Sequence, residues 1–237
     1  MDADYRWILI AGAVLIAICS VLLRITRARR SKEFREVASR LKLRYAPEDD
    51  SFRRELFFTY PLFQRGHPDK CTASNFLRGE RNGMDVVLFD YSYTTQHKIG
   101  QGFELRPAGV IKNYSTYSQS VVATRLQSRV LPQFEMCPET LLHKIGALAG
   151  MRDIDFESHS EFSKRYRLHG KSEAAVRDAF TLQVLAYFDQ TPGWSLEANG
   201  EWLVCYRHDR QVAPGELDGF LDEAIRIAQL FETLTSS

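Results

Sequence analysis

Residues 75–93, NFLRGERNGMDVVLFDYSY, carry the strongest local signal in the chain. Asn82-Gly83 stands between two strand-like runs. A two-residue type I′ loop needs positive φ at both central positions, which Asn and Gly tolerate best. In the second run Val87, Phe89, Tyr91 and Tyr93 alternate onto one face, with Val86, Leu88 and Asp90 on the other. The reading is an antiparallel hairpin built from residues 75–79 and 84–93.

Working outward from it, residues 41–45 alternate as a short strand and end at the turn-like APEDD of 46–50. Residues 51–72 are mixed, with Phe52, Leu56, Phe57, Phe58 and Leu62 available to a core. Beyond the hairpin, 95–115 holds three Gly, Pro107 and several polar residues and reads as a long loop. Strand signals return at 117–126 and 132–136. Pro138-Glu139 then opens a helix to about residue 148, with Pro in the first turn. Residues 162–168 alternate as a strand ending at Gly170. Ser172-Glu173 caps a helix to about 188, its inward side Ala175, Ala179, Leu182, Leu185 and Phe188. Runs 193–197 and 201–207 flank Asn199-Gly200, a second expected type I′ hairpin, with Trp194, Leu196, Trp202, Val204 and Tyr206 offered to one face. A last helix over 217–234 stripes Leu217, Leu221, Ala224, Ala228 and Phe231. Strand, helix, hairpin, helix is an α+β pattern, an antiparallel sheet with helices on one side. The dinucleotide fingerprint and the phosphate-binding P-loop are both missing from the sequence, which argues against a doubly wound nucleotide-binding fold.

At the N-terminus, residues 7–23, WILIAGAVLIAICSVLL, form 17 uncharged positions. At a rise of 1.5 Å per residue this run reaches about 25 Å, the short end of a bilayer span. Arg6 and Arg24 flank it, and Tyr5 with Trp7 provides an aromatic anchor. A cleaved signal peptide would need a basic leader and a small-residue cleavage site, neither of which is present. The basic residues Arg24, Arg27, Arg29, Arg30 and Lys32 follow the span, while Asp2 and Asp4 precede it. The positive-inside rule therefore orients residues 1–6 outside and 24–237 in the cytoplasm.

Composition supports an ordinary globular body, with 44% hydrophobic and 26% charged residues and only 14 Gly and 8 Pro. That profile excludes collagen-like, disordered and disulfide-framework chains. The total charge of +1 hides an asymmetry. Nine basic residues between 24 and 44 face only Glu33 and Glu36, so this arm is +7 and the rest of the chain −6. A near-neutral total, with aromatics at strand spacing, disfavours nucleic acid as a partner. Ser31 reads as the N-cap of an amphipathic helix with Phe34, Val37, Ala38 and Leu41 on one stripe. Arg24 to Lys32 read as a membrane-surface contact, worth about 1 kcal/mol per basic residue near anionic lipid. Cys19, Cys71, Cys137 and Cys205 are isolated singletons, matching a reducing compartment rather than a disulfide scaffold.

Two patterns bear on chemistry. Residues 153–161, DIDFESHSE, would put Asp153, Asp155, Glu157, His159 and Glu161 on one face if extended. Oxygen donors with an imidazole suit Mg²⁺ or Mn²⁺, with Asp153, Asp155 and His159 the candidate ligands, although a solvated strand face explains the same pattern. His67, Asp69 and Cys71 in HPDKC could form a thiol nucleophile with its base, against the simpler reading of a structural cysteine. Cys137 and Cys205 sit among apolar residues and read as core. His97 and His208 fall in expected loops and His143 in an expected helix. The sequence assigns no catalytic residue, no resident metal and no cofactor.

Asn75-Phe76-Leu77-Arg78-Gly79, Gly83 and Val86 to Tyr93 resemble a family of uncharacterised bacterial proteins. So do Ser118 to Val122, Leu131-Pro132-Gln133-Phe134 with Pro138-Glu139, Phe162 to Tyr166, and Glu173 to Arg177 with Phe180. The resemblance implies a bacterial source and an N-terminal membrane segment ahead of a soluble domain of unknown function. It carries over no catalytic residue.

The expectation is a single-pass inner-membrane protein with a transmembrane helix at 7–23, a basic juxtamembrane segment and amphipathic helix at 24–44, and a cytoplasmic α+β domain at 45–237. That domain reads either as one unit or as two packed halves, 45–150 and 151–237. Its expected role is a binding or scaffolding module, with the lipid bilayer and a protein or small ligand at the inner membrane as partners. The alternative is a membrane-tethered metal-dependent enzyme using 153–161.

Overall fold

In the computed structural model, residues 2–98, 112–141 and 153–232 are described. The chain opens with α1 (Asp2–Leu41), a single helix of 40 residues and about 60 Å. It runs through Ser31 without a break, so Ser31 is no N-cap. The helical stripe Phe34, Val37 and Ala38 is buried, as its spacing predicts. Lys42, in the left-handed region at φ 57°, turns the chain into β1 (Arg44–Ala46), which starts three residues later than the alternation at 41–45 suggested.

Next come α2 (Asp50–Phe57) and α3 (Pro61–Gln64), then β2 (Cys71–Arg81), β3 (Met84–Lys98), β4 (Lys112–Arg125) and β5 (Leu131–Pro138). The second half supplies α4 (Ser160–Arg165), β6 (Tyr166–Gly170), α5 (Glu173–Ala179), α6 (Leu182–Gln190), β7 (Ser195–Gly200), β8 (Trp202–Tyr206) and α7 (Leu217–Glu232). One eight-stranded sheet runs through both halves in the order β1-β2-β3-β4-β8-β7-β5-β6, every pairing antiparallel. This is an α+β architecture behind a long N-terminal helix.

The first hairpin forms as its sequence dictates. Arg81 pairs with Met84, and Asn82 and Gly83 both hold positive φ, at 52° and 78°, the type I′ requirement. The second differs. Asn199 pairs with Trp202, so its loop is Gly200-Glu201, and only Gly200 has positive φ, at 72°. A glycine alone at the first position is the type II′ pattern. A two-residue loop also sets even-numbered residues of β7 opposite odd-numbered residues of β8. Leu196 therefore shares a face with Cys205, while Trp202, Val204 and Tyr206 lie on the opposite face.

Other boundaries moved for physical reasons. Residues 162–165 are helical, not a strand. Phe162 and Tyr166 are four apart, which satisfies both periods, and their rings stack at 5.2 Å. The expected helix 172–188 is two, because Thr181 caps α6 by accepting from Val184 N. Strands extend to Lys98 and begin again at Lys112, into the expected loop. Pro138 ends β5, a 3-10 turn covers Glu139–Leu141, and the rest of the expected 139–148 helix lies outside the described residues, as does His143.

The sheet has two different faces. On one, Val86, Leu88, Val122, Leu168, Leu196 and Cys205 pack against α1, α5, α6 and α7. The other carries an aromatic core of Phe76, Phe89, Tyr91, Tyr93 and Tyr117 under Phe52, Leu56 and Phe63 of α2 and α3. α1, α4, α5, α6 and α7 keep to one side; α2 and α3 cover the other.

Candidate functional site

Among the described residues, α1 is the one helix long and apolar enough to cross a membrane. Trp7, Ile10, Val14, Leu15, Ile16, Ile18 and Val21 to Leu23 are all more than half exposed on it, an apolar surface that water would penalise. Past this surface the basic residues divide. Arg24, Arg27 and Lys32 are exposed, and exposed Arg29 pairs with Glu33 at 3.0 Å. Arg30 is not available to headgroups. Its guanidinium forks onto Asp90, Nε to Oδ2 at 2.7 Å and Nη2 to Oδ1 at 2.8 Å, and Nη2 also donates to the Val212 carbonyl at 3.0 Å. Asp90 accepts further from Asn75 Nδ2 and Ser120 Oγ. Asn75, at φ 58° beside a register shift in β2, accepts from Ser31 Oγ and Tyr45 Oη. This polar knot fastens α1 to β1, β2, β3, β4 and the segment before α7. Sequence reading assigned Arg30 to lipid because its partner lies 60 residues away.

The acidic segment does not form the expected extended face. Asp153 lies along the outer edge of β6, where Oδ1 accepts from Leu168 N at 2.8 Å, while Ile154 N donates to the Leu168 carbonyl at 2.8 Å. Asp153 Oδ2 takes Arg167 Nη1 at 2.6 Å. The carboxylate thus replaces a neighbouring strand and blunts an open edge. Asp155 is exposed, and His159 Nδ1 lies 3.1 Å from Ser158 Oγ at the start of α4. Among the described residues, no three His, Cys, Asp or Glu side chains converge as metal ligands.

The thiol candidates are likewise structural in their contacts. Cys71 Sγ donates to the Arg65 and His67 carbonyls, not to an imidazole, and His67 sits beside Asp69 on the surface. Burial pushes the Cys137 thiol up to about 12 and Cys205 higher still. His208 lies 5.0 Å from the Tyr117 ring.

A group the sequence reading missed occupies the α3 side of the sheet. Pairing sets His169 on β6 opposite Glu135 on β5, and Glu135 opposite Glu197 on β7, one row across three strands. Their exposures are 5%, 7% and 0%. Arg65, at the end of α3, reaches down onto both carboxylates. Nη2 bonds Glu135 Oε1 closely and lies 3.4 Å from Glu197 Oε1. Glu197 also accepts from Leu62 N and Tyr206 Oη, each at 2.9 Å. Arg65 Nε and Nη1 have no hydrogen-bond partner among the described residues. Burial, and then the charge of Glu135, push the Glu197 carboxyl up to about 7. A cavity of about 290 Å³ opens on this row, walled by Pro61, Phe134, Glu135, His169 and Lys171 among others. Buried charges are costly unless paired and hydrogen-bonded, and a perturbed carboxyl beside a cavity marks a candidate binding site. In sequence the row is hidden. Gln133-x-Glu135-x-Cys137 and Ser195-x-Glu197 alternate with apolar residues and read as solvent-facing sides of strands.

No family model matches the sequence, and no curated protein matches it. One solved structure shares the fold. The crystal structure of the mycobacterial trehalose monomycolate transport factor A, TtfA, superposes at a TM-score of 0.56 over 85% of this chain and 92% of that one. The two are 12% identical, so the likeness is one of fold.

Proposed function

We propose that this chain is a single-pass protein of a bacterial inner membrane, residues 1–6 outside and 24–237 in the cytoplasm, whose α+β domain is a binding or scaffolding module. The observation that carries the reading is α1 itself. One unbroken helix presents an apolar surface of bilayer length and then enters the domain core, where Arg30 is locked by Asp90. A tether built this way holds the domain at a set distance and orientation from the lipid, which suits presentation of a binding surface. Arg24, Arg27, Arg29 and Lys32 remain for anionic headgroups. TtfA is named as a transport factor, and a membrane-associated, non-enzymatic role in this chain is compatible with the shared fold. Membership of the bacterial family that the sequence resembles fits the same topology.

The test is a pair of fusions after Ser237. A reporter active only in the cytoplasm is expected to work, and one active only outside to stay silent. The reverse pattern overturns both compartment and partners.

A further inference from the structure

We infer that the free end of the β3–β4 ribbon, marked by Lys98, Lys112 and Lys70 with Tyr114, is a second contact with an anionic lipid leaflet. The inference deepens the anchored-module reading and rests on it: α1 crosses the bilayer, and the ribbon touches its surface.

The contacts of α1 fix its direction over the sheet. Ser31 Oγ bonds Asn75 of β2, and the Lys42 carbonyl ends 4.0 Å from where a Cβ at Gly79 would stand. From 31 to 42 the helix therefore follows β2 toward the Asn82-Gly83 turn. Traced back from Ser31 to its apolar stretch, α1 heads the opposite way, the way antiparallel β3 continues past Asp90. The residues from Asp90 to Lys98 extend about 26 Å. Arg24 lies about 9 Å along the helix from Arg30. Even with the strands inclined to the helix, the ribbon end reaches the level at which α1 changes from basic to apolar.

That end is built unlike the rest of the sheet. β2 joins β3 only as far as Tyr93, and β8 joins β4 only over 121–125. Among the described residues, 94–98 and 112–116 thus pair only with each other. A bare two-stranded ribbon is marginal in water, so a further surface laid against it would stabilise it. Composition points to the chemistry of that surface. TTQHK and KNYST contain no acidic residue. The register sets Lys98 directly opposite Lys112, and like charges so placed repel. An anion shared between them turns the repulsion into attraction. Lys70 Nζ lies 3.9 Å from the centre of the exposed Tyr114 ring, a cation and an aromatic of the kind that suits a headgroup interface. The neighbouring acid, Asp69, lies 3.5 Å from His67. By register, Gln96, Lys98, Lys112 and Tyr114 belong to the sheet face of Asp90, on which Arg30 and α1 lie. Exposed Arg27, three residues before Arg30, adds a charge on the same side of α1. An acidic protein could meet the same lysines, but the apolar stretch of α1 already brings a leaflet to their level.

The experiment uses the full chain, Cys19→Ser and Cys71→Ser, in nanodiscs of phosphatidylcholine alone or with phosphatidylglycerol. Spin labels are placed singly through Gln96→Cys on the ribbon, Leu15→Cys in the apolar stretch and Glu80→Cys at the far end of β2. Each label is read by its collisions with lipid-dissolved oxygen and with an aqueous nickel chelate. The oxygen-to-nickel ratio at 96 is expected to rise at least threefold when phosphatidylglycerol is added, with 80 low and 15 high in both lipids. Lys98→Glu should cancel the rise at 96. The same change faces Lys112 with an opposite charge, so the melting temperature in detergent should hold or increase, which separates lipid contact from folding. The comparison of lipids keeps both lysines and decides the case even if Lys98→Glu fails to fold. An equal ratio at 96 in both lipids, or a rise that survives Lys98→Glu, overturns the ribbon contact. With 15 in lipid, the anchor then stands and the lysines pass to an acidic macromolecule. An aqueous reading at 15 overturns the anchor and the inference together.

Discussion

Asp90 shows how a single residue changes the meaning of its neighbours. In sequence it closes an alternating run as the polar member of a face. In the fold it is nearly fully buried and holds the guanidinium that ties α1 to the sheet. Removing one partner of a buried ion pair leaves an uncompensated charge, typically costing about 3–5 kcal/mol. Asp90→Ala should fall near the lower bound, because Arg30 is 20% exposed. Chemical unfolding of the solubilised protein measures it, and Arg30→Met with Asp90→Leu should recover much of the loss. A change below 0.5 kcal/mol would show that the knot contributes no stability.

Glu197 makes a prediction of a different kind. Its folded carboxyl is raised from 4.5 to about 7, so between those values the folded state holds a proton that the unfolded state has released. Stability contributed here falls as pH rises from about 4.5 to about 7 and then levels. The melting temperature of the wild type should decline across that window relative to Glu197→Gln. Parallel profiles for the two proteins would mean that Glu197 ionises as an ordinary carboxylate.

At the level of elements, Asp153 is the instructive case. Counting every second residue from 153 to 161 places it with Asp155 and His159. The backbone instead turns helical at 157, and Asp153 pairs with the edge of β6. Asp153→Ala would strip a buried N–H and Arg167 of their acceptor, at a cost of about 1–3 kcal/mol. Asp153→Asn, which still accepts from Leu168 N, should lose less. Equal losses, read from the same unfolding curves, would assign the effect to Arg167 alone. The short elements were the least legible. Phe162 and Tyr166 fit a strand and a helix equally, and Thr181 ended one helix and began another with no glycine or proline to mark it. The Asn82-Gly83 hairpin and the stripes of α1 and α7 were legible because their periods persist over several turns or carry obligatory turn chemistry.

For the whole molecule, the continuous α1 predicts a stiff link between bilayer and domain. A spin-label pair at positions 7 and 83 should give a narrow distance distribution in nanodiscs. Inserting Gly-Gly after Arg27 should broaden it while the domain's melting temperature holds. An unchanged width would place the rigidity outside α1. What the sequence alone determined was the local and the periodic: an apolar run of bilayer length, the basic flank, one I′ turn, and the inward stripes of long helices. Those follow from residues near each other in the chain, where spacing alone selects a face. Only the tertiary structure decided which charged residues are buried and with whom. Arg30 meets Asp90, Asp153 meets an edge strand, and Arg65 meets Glu135 and Glu197, across separations of 60, 15 and 70 or more residues. An alternating polar residue looks the same in sequence whether its face meets water or another element. The difference lies in strand order and in which helix lies above, and sequence spacing contains neither.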